Sequence, residues 1–168
     1  GDGAEQGTAV GPIQNKQQYN RVLELIQDAK DNGYKFLLGG DHDSNIPGYF
    51  VPVTVLDNPP EDARIVAEEQ FGPIMPLMKF SSVDEAIERA NNSDYGLAGS
   101  VWTSDTDAGV AVAERMETGT VWINEAMNLS PFAAFAGHKQ SGFGAEMGEE
   151  GLLEFTYPQV ISVARERA

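Results

Sequence analysis

Residues 74–124 read IMPLMKFSSVDEAIERANNSDYGLAGSVWTSDTDAGVAVAERMETGTVWIN. Three β-prone runs, 74–80, 98–102 and 120–124, are separated in this stretch by two runs with apolar side chains at helical spacing. Short connections between strand, helix and strand are typical of right-handed crossovers on a parallel sheet. The stretch therefore predicts an α/β fold, a three-layer parallel sheet with flanking helices.

Capping signals indicate where these helices begin and end. Ser82 and Glu85 form a capping box at the start of the first helix, which is expected to run to about residue 90. Thr103 or Ser104 is expected to cap the second helix. Pro76 cannot donate a ladder hydrogen bond, so its strand is expected at a sheet edge or at a bulge.

The upstream third continues the same pattern of elements. Residues 14–32 carry apolar side chains at helical spacing, and Gly33 follows as a C-cap. Two β-prone runs, 35–38 and 49–56, flank a polar turn cluster. Residues 1–10 carry no such pattern and are interpreted as a linker.

The downstream third begins with a long loop at residues 125–142. Loops of this length are uncommon in compact domains unless they are functional or disordered. In α/β sheets, ligands bind beyond the carboxyl ends of the strands, so chemistry is expected in this loop. A helix around residues 149–155 and a strand at residues 160–163 are expected to follow.

Composition excludes several classes of function. The 168 residues include 26 acidic and 11 basic ones, with a net charge of −15 and no basic cluster, so a nucleic-acid partner is not expected. No apolar run approaches the roughly 18 residues of a membrane-spanning helix. We therefore expect a soluble, cytoplasmic protein. The absence of cysteine excludes disulfides, thiolate metal sites and a thiol nucleophile.

Two metal-binding or phosphate-binding patterns fail on inspection. The run that starts at Asp41 resembles a calcium loop, but Ile46 occupies the glycine position and Pro52 the glutamate position. The glycines of residues 137–142 have the spacing of a phosphate loop, yet Phe143 follows where a lysine is needed. The sequence predicts no metal site.

Residues 68–73, EEQFGP, are harder to interpret. A carboxylate here could accept hydrogen bonds from vicinal hydroxyl groups such as those of a ribose, and Phe71 could offer a flat apolar wall. Composition alone favours a plainer interpretation, in which the glutamates are solvated and Phe71 belongs to the core.

An ordered series of motifs resembles the aldehyde dehydrogenase superfamily. The motifs are GYFVPVTV at 48–55, EEQFGP at 68–73, ERAN at 88–91 with YGLA at 95–98, GTVWIN at 119–124 and KQSG at 139–142. The likeness extends over residues 11–163 and corresponds to the carboxy-terminal portion of these enzymes. It implies a partial catalytic domain at residues 11–140 and an oligomerisation segment at residues 141–168, which ends in a strand.

The resemblance implies that the parent protein oxidises aldehydes to carboxylic acids with NAD or NADP. A cysteine thiolate attacks the aldehyde, hydride passes to the nicotinamide, and a glutamate-activated water hydrolyses the thioester. In the family, both the cysteine and that glutamate lie upstream of the segment matched here. The resemblance thus implies a homo-oligomeric enzyme of which this chain alone is inactive.

Five site residues follow from the resemblance. Glu69 matches the glutamate that hydrogen-bonds the nicotinamide ribose, and Phe71 matches the aromatic residue that helps place the nicotinamide ring. Phe135 matches the aromatic residue of the substrate pocket, and Asn124 closes the strand that faces this pocket. Glu146 matches a glutamate that serves as a proton relay in some members.

The chain departs from the family pattern near the pocket. Ala134 and Ala136 replace a proline and a glycine beside Phe135, and Ala145 stands where many members have an arginine. Pocket shape and the subunit contact of that arginine therefore differ from the usual pattern. Two alternatives remain: a stand-alone, non-catalytic interaction or dimerisation module derived from the same fold, and an unrelated α/β binding domain.

Overall fold

The computed structural model describes residues 1–43 and 45–165. The chain divides into two compact units, Gly1–Lys79 (unit 1) and Phe80–Ala168 (unit 2). None of the helices described is long and apolar enough to cross a membrane. No group of three or more acidic or histidine side chains in the described ranges is arranged to hold a metal ion.

Unit 1 is a three-stranded sheet with two helices. Its elements are α1 (Lys16–Asp31), β1 (Phe36–Leu38), β2 (Thr54–Asp57), α2 (Arg64–Ala67) and β3 (Ile74–Leu77). The sheet order is β1-β2-β3, in which β2 pairs antiparallel with β1 and parallel with β3. The edge position of β3 confirms the expectation from Pro76.

Helix α1 supplies most of the core of unit 1. The Asn15 side chain caps it by accepting a hydrogen bond from the Gln18 backbone N–H at 2.9 Å. At the other end, Gly33 adopts a φ of 72°, the left-handed conformation that commonly follows a helix. The apolar side of the helix packs with side chains from β2, α2 and β3, and the central members of this cluster are Val22, Leu25, Ile26, Leu56, Ile65 and Ile74.

Unit 2 contains the remaining elements, most of them short. They are α3 (Val83–Asn91), β4 (Tyr95–Gly96), β5 (Ala98–Val101), α4 (Thr106–Ala113), β6 (Thr120–Ile123), β7 (Phe135–Ala136), β8 (His138–Lys139), β9 (Ala145–Glu146) and α5 (Gly148–Leu153). Strands β5 and β6 pair in parallel, whereas β4 pairs antiparallel with β8 and β7 with β9. The α/β class is therefore confirmed.

The strand pairing differs in one respect from the sequence prediction. The three strands expected in one parallel sheet belong to two sheets, because β3 pairs with β2 and β5 pairs with β6. Strand pairing depends on contacts between distant residues, which local periodicity does not report. The loop expected at residues 125–142 also contains the short strands β7 and β8.

The helix caps are partly as predicted. The Ser82 hydroxyl accepts a hydrogen bond from the Glu85 N–H at 3.2 Å, as a capping box requires. The cap of α4 is Asp105, so the prediction of Thr103 or Ser104 was wrong. The physical reason is that the Thr103 hydroxyl accepts a hydrogen bond from the Asp105 N–H at 3.1 Å, which leaves the Asp105 carboxylate to accept from Ala108.

The strand expected at residues 160–163 does not form in the single chain. Residues 156–165 are exposed and have neither helical nor strand structure. A strand is stabilised by hydrogen bonds to a neighbouring strand, and this segment has no such neighbour in unit 2 as described. The helix expected just before it is present as α5.

Candidate functional site

The segment Glu68 to Phe71 in unit 1 alternates between anchored and exposed side chains. Glu68 and Gln70 are half-buried, whereas Glu69 is exposed and Phe71 is 73% exposed. Phe71 therefore does not belong to the core, and the plainer interpretation of this residue was wrong. The side chains of Glu68 and Gln70 anchor the segment, whereas those of Glu69 and Phe71 are presented to solvent.

Two arginines anchor Glu68. Arg64 Nε donates to Glu68 Oε1 at 2.7 Å, and Arg21 of α1 donates to Glu68 Oε2. Arg64 also donates to Glu24 at 2.8 Å, and this hydrogen bond lowers the pKa of the Glu24 carboxyl below its usual value. Charge-assisted hydrogen bonds of this kind tie the segment to α1 and α2.

The neighbours of Phe71 are held by α1 and α2 as well. The Gln70 side chain donates to the Ile65 carbonyl, and the Gln70 carbonyl accepts from Gln18 Nε2 at 2.6 Å. A Cβ atom on Gly72 would lie 2.5 Å from Val22 Cγ2, so the backbone approaches α1 more closely than any other residue would allow. These contacts fix the backbone on both sides of Phe71.

Phe71 forms part of the wall of an open, largely apolar cavity of about 1090 Å3 in unit 1. Residues from the segment before α1, from α1, from β3 and from β2 with the residue before it complete the lining, including Val10, Gln18, Met75 and Val53. Within the described residues, the Glu69 carboxylate has no hydrogen-bond or ion-pair partner. Glu69 is not among the residues that line this cavity, but its exposed carboxylate can accept hydrogen bonds from hydroxyl groups of a ligand.

A second set of predicted residues meets in unit 2. Phe135 of β7 and Glu146 of β9 are directly opposite each other in the antiparallel ladder. Both residues line an open cavity of about 380 Å3 that is also bounded by Leu97, Phe143 and Phe155. The ladder thus brings the Phe135 ring and the Glu146 carboxylate together, although the two residues are 11 positions apart in the chain.

Trp122 supports Phe135 from β6. The two rings stack with centroids 6.4 Å apart and an interplanar angle of 27°. The Trp122 indole N–H donates to the Asn128 carbonyl at 2.9 Å and so fastens the loop that precedes Phe135. Sequence reasoning did not single out Trp122, although a tryptophan in the GTVWIN strand was a visible signal.

Glycines bring the backbone of this site close together. A Cβ atom on Gly119 would lie 1.7 Å from the Ala136 carbonyl oxygen, and one on Gly151 would lie 2.6 Å from the Glu146 carbonyl carbon. Both contacts are with backbone atoms, which cannot move aside as a flexible side chain can. Gly119 and Gly151 therefore set the positions of the backbone next to Phe135 and at Glu146.

Asn124 has a role in the fold of unit 2. It adopts a φ of 56°, and its Oδ1 accepts a hydrogen bond from the Thr103 N–H at 2.8 Å. Its own N–H donates to the Val101 carbonyl at 2.9 Å. Asn124 thus joins the carboxyl ends of β5 and β6, and it is not among the residues that line the cavity with Phe135.

The fold and these side chains define an α/β protein with one set of candidate ligand-binding residues in each unit. The sequence profile of the Aldehyde dehydrogenase family matches residues 1–161. The chain is 42% identical over 163 residues to aldehyde dehydrogenase, cytosolic 1, of Rattus norvegicus, which covers 97% of this chain and 32% of that protein. It is 44% identical over 156 residues to retinal dehydrogenase 2 of Gallus gallus, with coverage of 93% and 30%.

Solved structures give the same result. The NAD+ complex of aldehyde dehydrogenase from Bacillus cereus matches with a TM-score of 0.85 and 43% identity, over 91% of this chain and 31% of that one. Betaine aldehyde dehydrogenase from Staphylococcus aureus in complex with NAD+ matches with a TM-score of 0.86 and 36% identity, over 96% and 34%. The chain belongs to the aldehyde dehydrogenase family. It spans about a third of the length of these relatives.

Proposed function

We propose that this chain is part of an NAD(P)-dependent aldehyde dehydrogenase that oxidises aldehydes to carboxylic acids. Family membership and the NAD+ complexes of the Bacillus cereus and Staphylococcus aureus relatives support the reaction class. The observation that carries the proposal is the exposure of Glu69 and Phe71, whose neighbours in the same motif are tied to α1 and α2.

The proposed cofactor is NAD or NADP, and the residues of unit 1 fit its nicotinamide half. The unpartnered Glu69 carboxylate can accept hydrogen bonds from the two ribose hydroxyls, while the Phe71 ring gives the nicotinamide a flat apolar wall. When bound, this cofactor accepts the hydride. Glu69 and Phe71 act by orienting it, and small errors in such placement are costly in rate.

The residues proposed to contact the aldehyde belong to unit 2. Phe135 forms an apolar wall for the substrate, and its stack on Trp122 keeps that wall in one orientation. Asn124, which the resemblance assigns to the substrate pocket, follows the end of β6 and does not line the cavity that contains Phe135. Glu146, across the ladder from Phe135, is the proposed proton relay, since a carboxylate can take up and release a proton there.

We propose that the chain alone is inactive. The family reaction uses a cysteine nucleophile, and this sequence contains no cysteine. The purified chain, mixed with NAD or NADP and a panel of aldehydes, is expected to give no increase in reduced-cofactor absorbance above background. Turnover above background would contradict this part of the proposal.

A chimera tests the function directly. Residues 1–161 replace the matching segment of the Bacillus cereus enzyme, and NAD+ reduction is followed with an aldehyde substrate. We expect turnover, and we expect Glu69→Gln and Phe71→Ala each to lower kcat/KM by about ten-fold or more. Glu88→Gln, an exposed glutamate on α3, is the matched control and should leave kcat/KM within about two-fold.

Two outcomes of the chimera experiment would reject the cofactor assignment or the activity. If Glu69→Gln and Glu88→Gln behave alike in an active chimera, Glu69 does not orient the cofactor. If the folded chimera is inactive while the original chain self-associates, the non-catalytic interaction module becomes the better explanation.

Homo-oligomerisation through residues 141–168 and a cytoplasmic location complete the proposal. The described end of this segment exposes five large apolar side chains: Phe155, Tyr157, Val160, Ile161 and Val163. Such exposure is typical of a surface that another chain covers. Ile161→Lys is expected to reduce self-association in sedimentation experiments, with Ser162→Lys as the control.

The proposed cytoplasmic location is supported by the cytosolic relative from Rattus norvegicus and can be checked by cell fractionation.

A further inference from the structure

Three motifs of the sequence have no part in the proposed function: ERAN at 88–91, YGLA at 95–98 and KQSG at 139–142. The structure brings the last two together in unit 2, because Lys139 of β8 lies opposite Tyr95 of β4. In addition, the Ser141 hydroxyl accepts a hydrogen bond from the Gly96 N–H at 2.9 Å. The backbone of KQSG is therefore fixed on that of YGLA.

The Lys139 side chain connects KQSG to the ERAN motif. Its Nζ donates a hydrogen bond to the Asn91 carbonyl at 2.6 Å and forms an ion pair with Glu117 Oε2 at 2.7 Å. Asn91 is the last residue of α3, and at this end of a helix the dipole favours a positive charge. The Lys139 side chain is 26% exposed, so its stem is largely packed against the protein.

The Asn91 side chain holds the segment that connects α4 to β6. Its Nδ2 donates to the Arg115 carbonyl at 2.8 Å, and its Oδ1 accepts from the Glu117 N–H at 2.9 Å. Lys139 contacts the side chain of the same glutamate. Asn91 and Lys139 therefore act together on one short segment, residues 115–117.

This segment leads directly to the backbone around Phe135. Just after it, a Cβ atom on Gly119 would lie 1.7 Å from the Ala136 carbonyl oxygen. Strand β6 follows and contains Trp122, whose ring stacks on Phe135. On the other side, Lys139 is three residues after Ala136. The Phe135 ring has no polar atom that could form a hydrogen bond, so its position depends on these backbone segments and on the stack.

We propose that Lys139 and Asn91 are positioning residues for the Phe135 ring, which they hold through residues 115–117 on one side and through β8 on the other. This inference rests on the proposed function, in which Phe135 is a wall for the aldehyde. Neither residue lines the cavity that contains Phe135, so both act through the backbone and not by touching the substrate. Loss of either side chain is expected to shift the ring and to weaken binding of an aldehyde that contacts it.

Trp122 reports the position of Phe135 without cofactor or catalysis. In a chain with Trp102→Phe, Trp122 is the one remaining tryptophan, and its near-ultraviolet circular dichroism depends on the stack with Phe135. Lys139→Met is expected to weaken this band while the far-ultraviolet spectrum stays the same. Lys139→Arg should restore the band, because a guanidinium keeps the charge and can donate to both partners. Lys16→Met, at an exposed lysine of α1, is the matched control.

The chimera with the Bacillus cereus enzyme tests the consequence for substrate binding. Hexanal has an alkyl chain that can reach the Phe135 wall, whereas acetaldehyde has only a methyl group. Lys139→Met is expected to raise KM for hexanal by about five-fold or more, while KM for acetaldehyde and for NAD+ stays within about two-fold. A general loss of folded enzyme would instead lower kcat for both aldehydes and leave the KM values unchanged.

Asn91→Ala tests whether the two residues act as one unit. Alone, it should raise KM for hexanal in the same way as Lys139→Met. The double variant should exceed the larger single effect by less than about two-fold, because both side chains act on residues 115–117. Effects that multiply would mean that the two residues act separately, which would reject the proposal.

Failure of this inference can be told apart from failure of the proposed function. An unchanged Trp122 band in Lys139→Met, or an unchanged KM for hexanal in an active chimera, would overturn the inference. If far-ultraviolet circular dichroism shows that Lys139→Met does not fold, Lys139→Gln, which keeps an N–H donor, replaces it with the same expectations. An inactive chimera without substitutions would reject the proposed function, and the Trp122 band would still decide whether Lys139 positions Phe135.

Discussion

The two units bury their apolar side chains very differently, although each has a parallel strand pair and helices. Among the described residues, the ten buried apolar side chains of the core cluster all lie in unit 1, whereas Ile87 and Trp122 are those buried in unit 2. Unit 2 instead exposes large rings such as Phe132, at 90%. Because burial of apolar surface is the main stabilising contribution to folding, we expect unit 1 to hold its own fold and unit 2 to depend on surfaces supplied from elsewhere.

The largest expected effect comes from truncating the same residue type in both units. Leu25→Ala removes a fully buried side chain of α1 and should lower the free energy of unfolding by about 2–5 kcal/mol. Leu152→Ala removes a side chain that is 67% exposed, and it should change this free energy by less than about 0.5 kcal/mol. Urea denaturation of the purified variants measures both. Equal losses would mean that the difference in burial does not govern stability.

A smaller effect is expected from the closest backbone approach in unit 2. The Cβ atom of Gly119→Ala would collide with the Ala136 carbonyl, and relieving this contact should cost about 1–3 kcal/mol. The near-ultraviolet circular dichroism of Trp122, which stacks on Phe135, the residue before Ala136 in β7, should change as well. Gly11→Ala, where nothing lies within 4 Å of the added atom, is the control. A fully stable Gly119→Ala would show that unit 2 adjusts freely at this point.

Substitution of the anchored Glu68 and of the exposed Glu69 should change the free energy of unfolding by amounts that differ still less. Glu68→Gln removes the carboxylate that pairs with Arg21 and Arg64, and since these groups are about one-third exposed we expect a loss of about 0.5–1 kcal/mol. Hydrogen exchange at Gln70 should become faster. Glu69→Gln should leave both quantities unchanged, because this carboxylate has no partner in the described residues. Equal stability and equal hydrogen exchange in the two variants would contradict the assignment of Glu68 as anchored and Glu69 as free of partners.

The smallest effect concerns pH. Lys35 donates a hydrogen bond to Asp57 at 2.8 Å and Lys79 makes a second one, and together they hold the pKa of the Asp57 carboxyl below its ordinary value of 3.8. A lowered pKa in the folded state adds stability above the unfolded pKa, and this contribution is lost as pH falls through the folded value. The stability difference between the wild type and Asp57→Asn should therefore be constant near neutral pH and shrink below about pH 4. A difference that grows on acidification would contradict the assignment.

Elements with a strong local signal were predicted from the sequence. Helix α1, the capping box at Ser82 and the edge strand of Pro76 all depend on residues within a few positions of one another. Helix α2 was not predicted, because its four residues are too short for a helical period. The partner of β3 and the pairing of β7 with β9 depend on contacts between distant segments, which one sequence does not display.

In the candidate site too, features that depend on neighbouring residues were predicted, and features that depend on distant contacts were not. Glu69 and Phe71 were identified through the resemblance to aldehyde dehydrogenases, while composition favoured a buried Phe71. The segment that carries this exposed ring is anchored by distant contacts such as the hydrogen bond from Arg21 to Glu68, across 47 positions in the chain. The ion pair of Arg64 with Glu68, four residues apart, was not predicted either, because helix α2 was not predicted.

Anchored and exposed side chains alternate along residues 68–71. The function of this segment should therefore be more sensitive to a change in its length than to a change in its composition. Loss of one residue just before it would move Glu69 towards the arginines and turn Gln70 outwards, so that the anchoring and ligand-facing positions would be exchanged. Natural variants of this segment should therefore differ by substitutions and seldom by insertions or deletions.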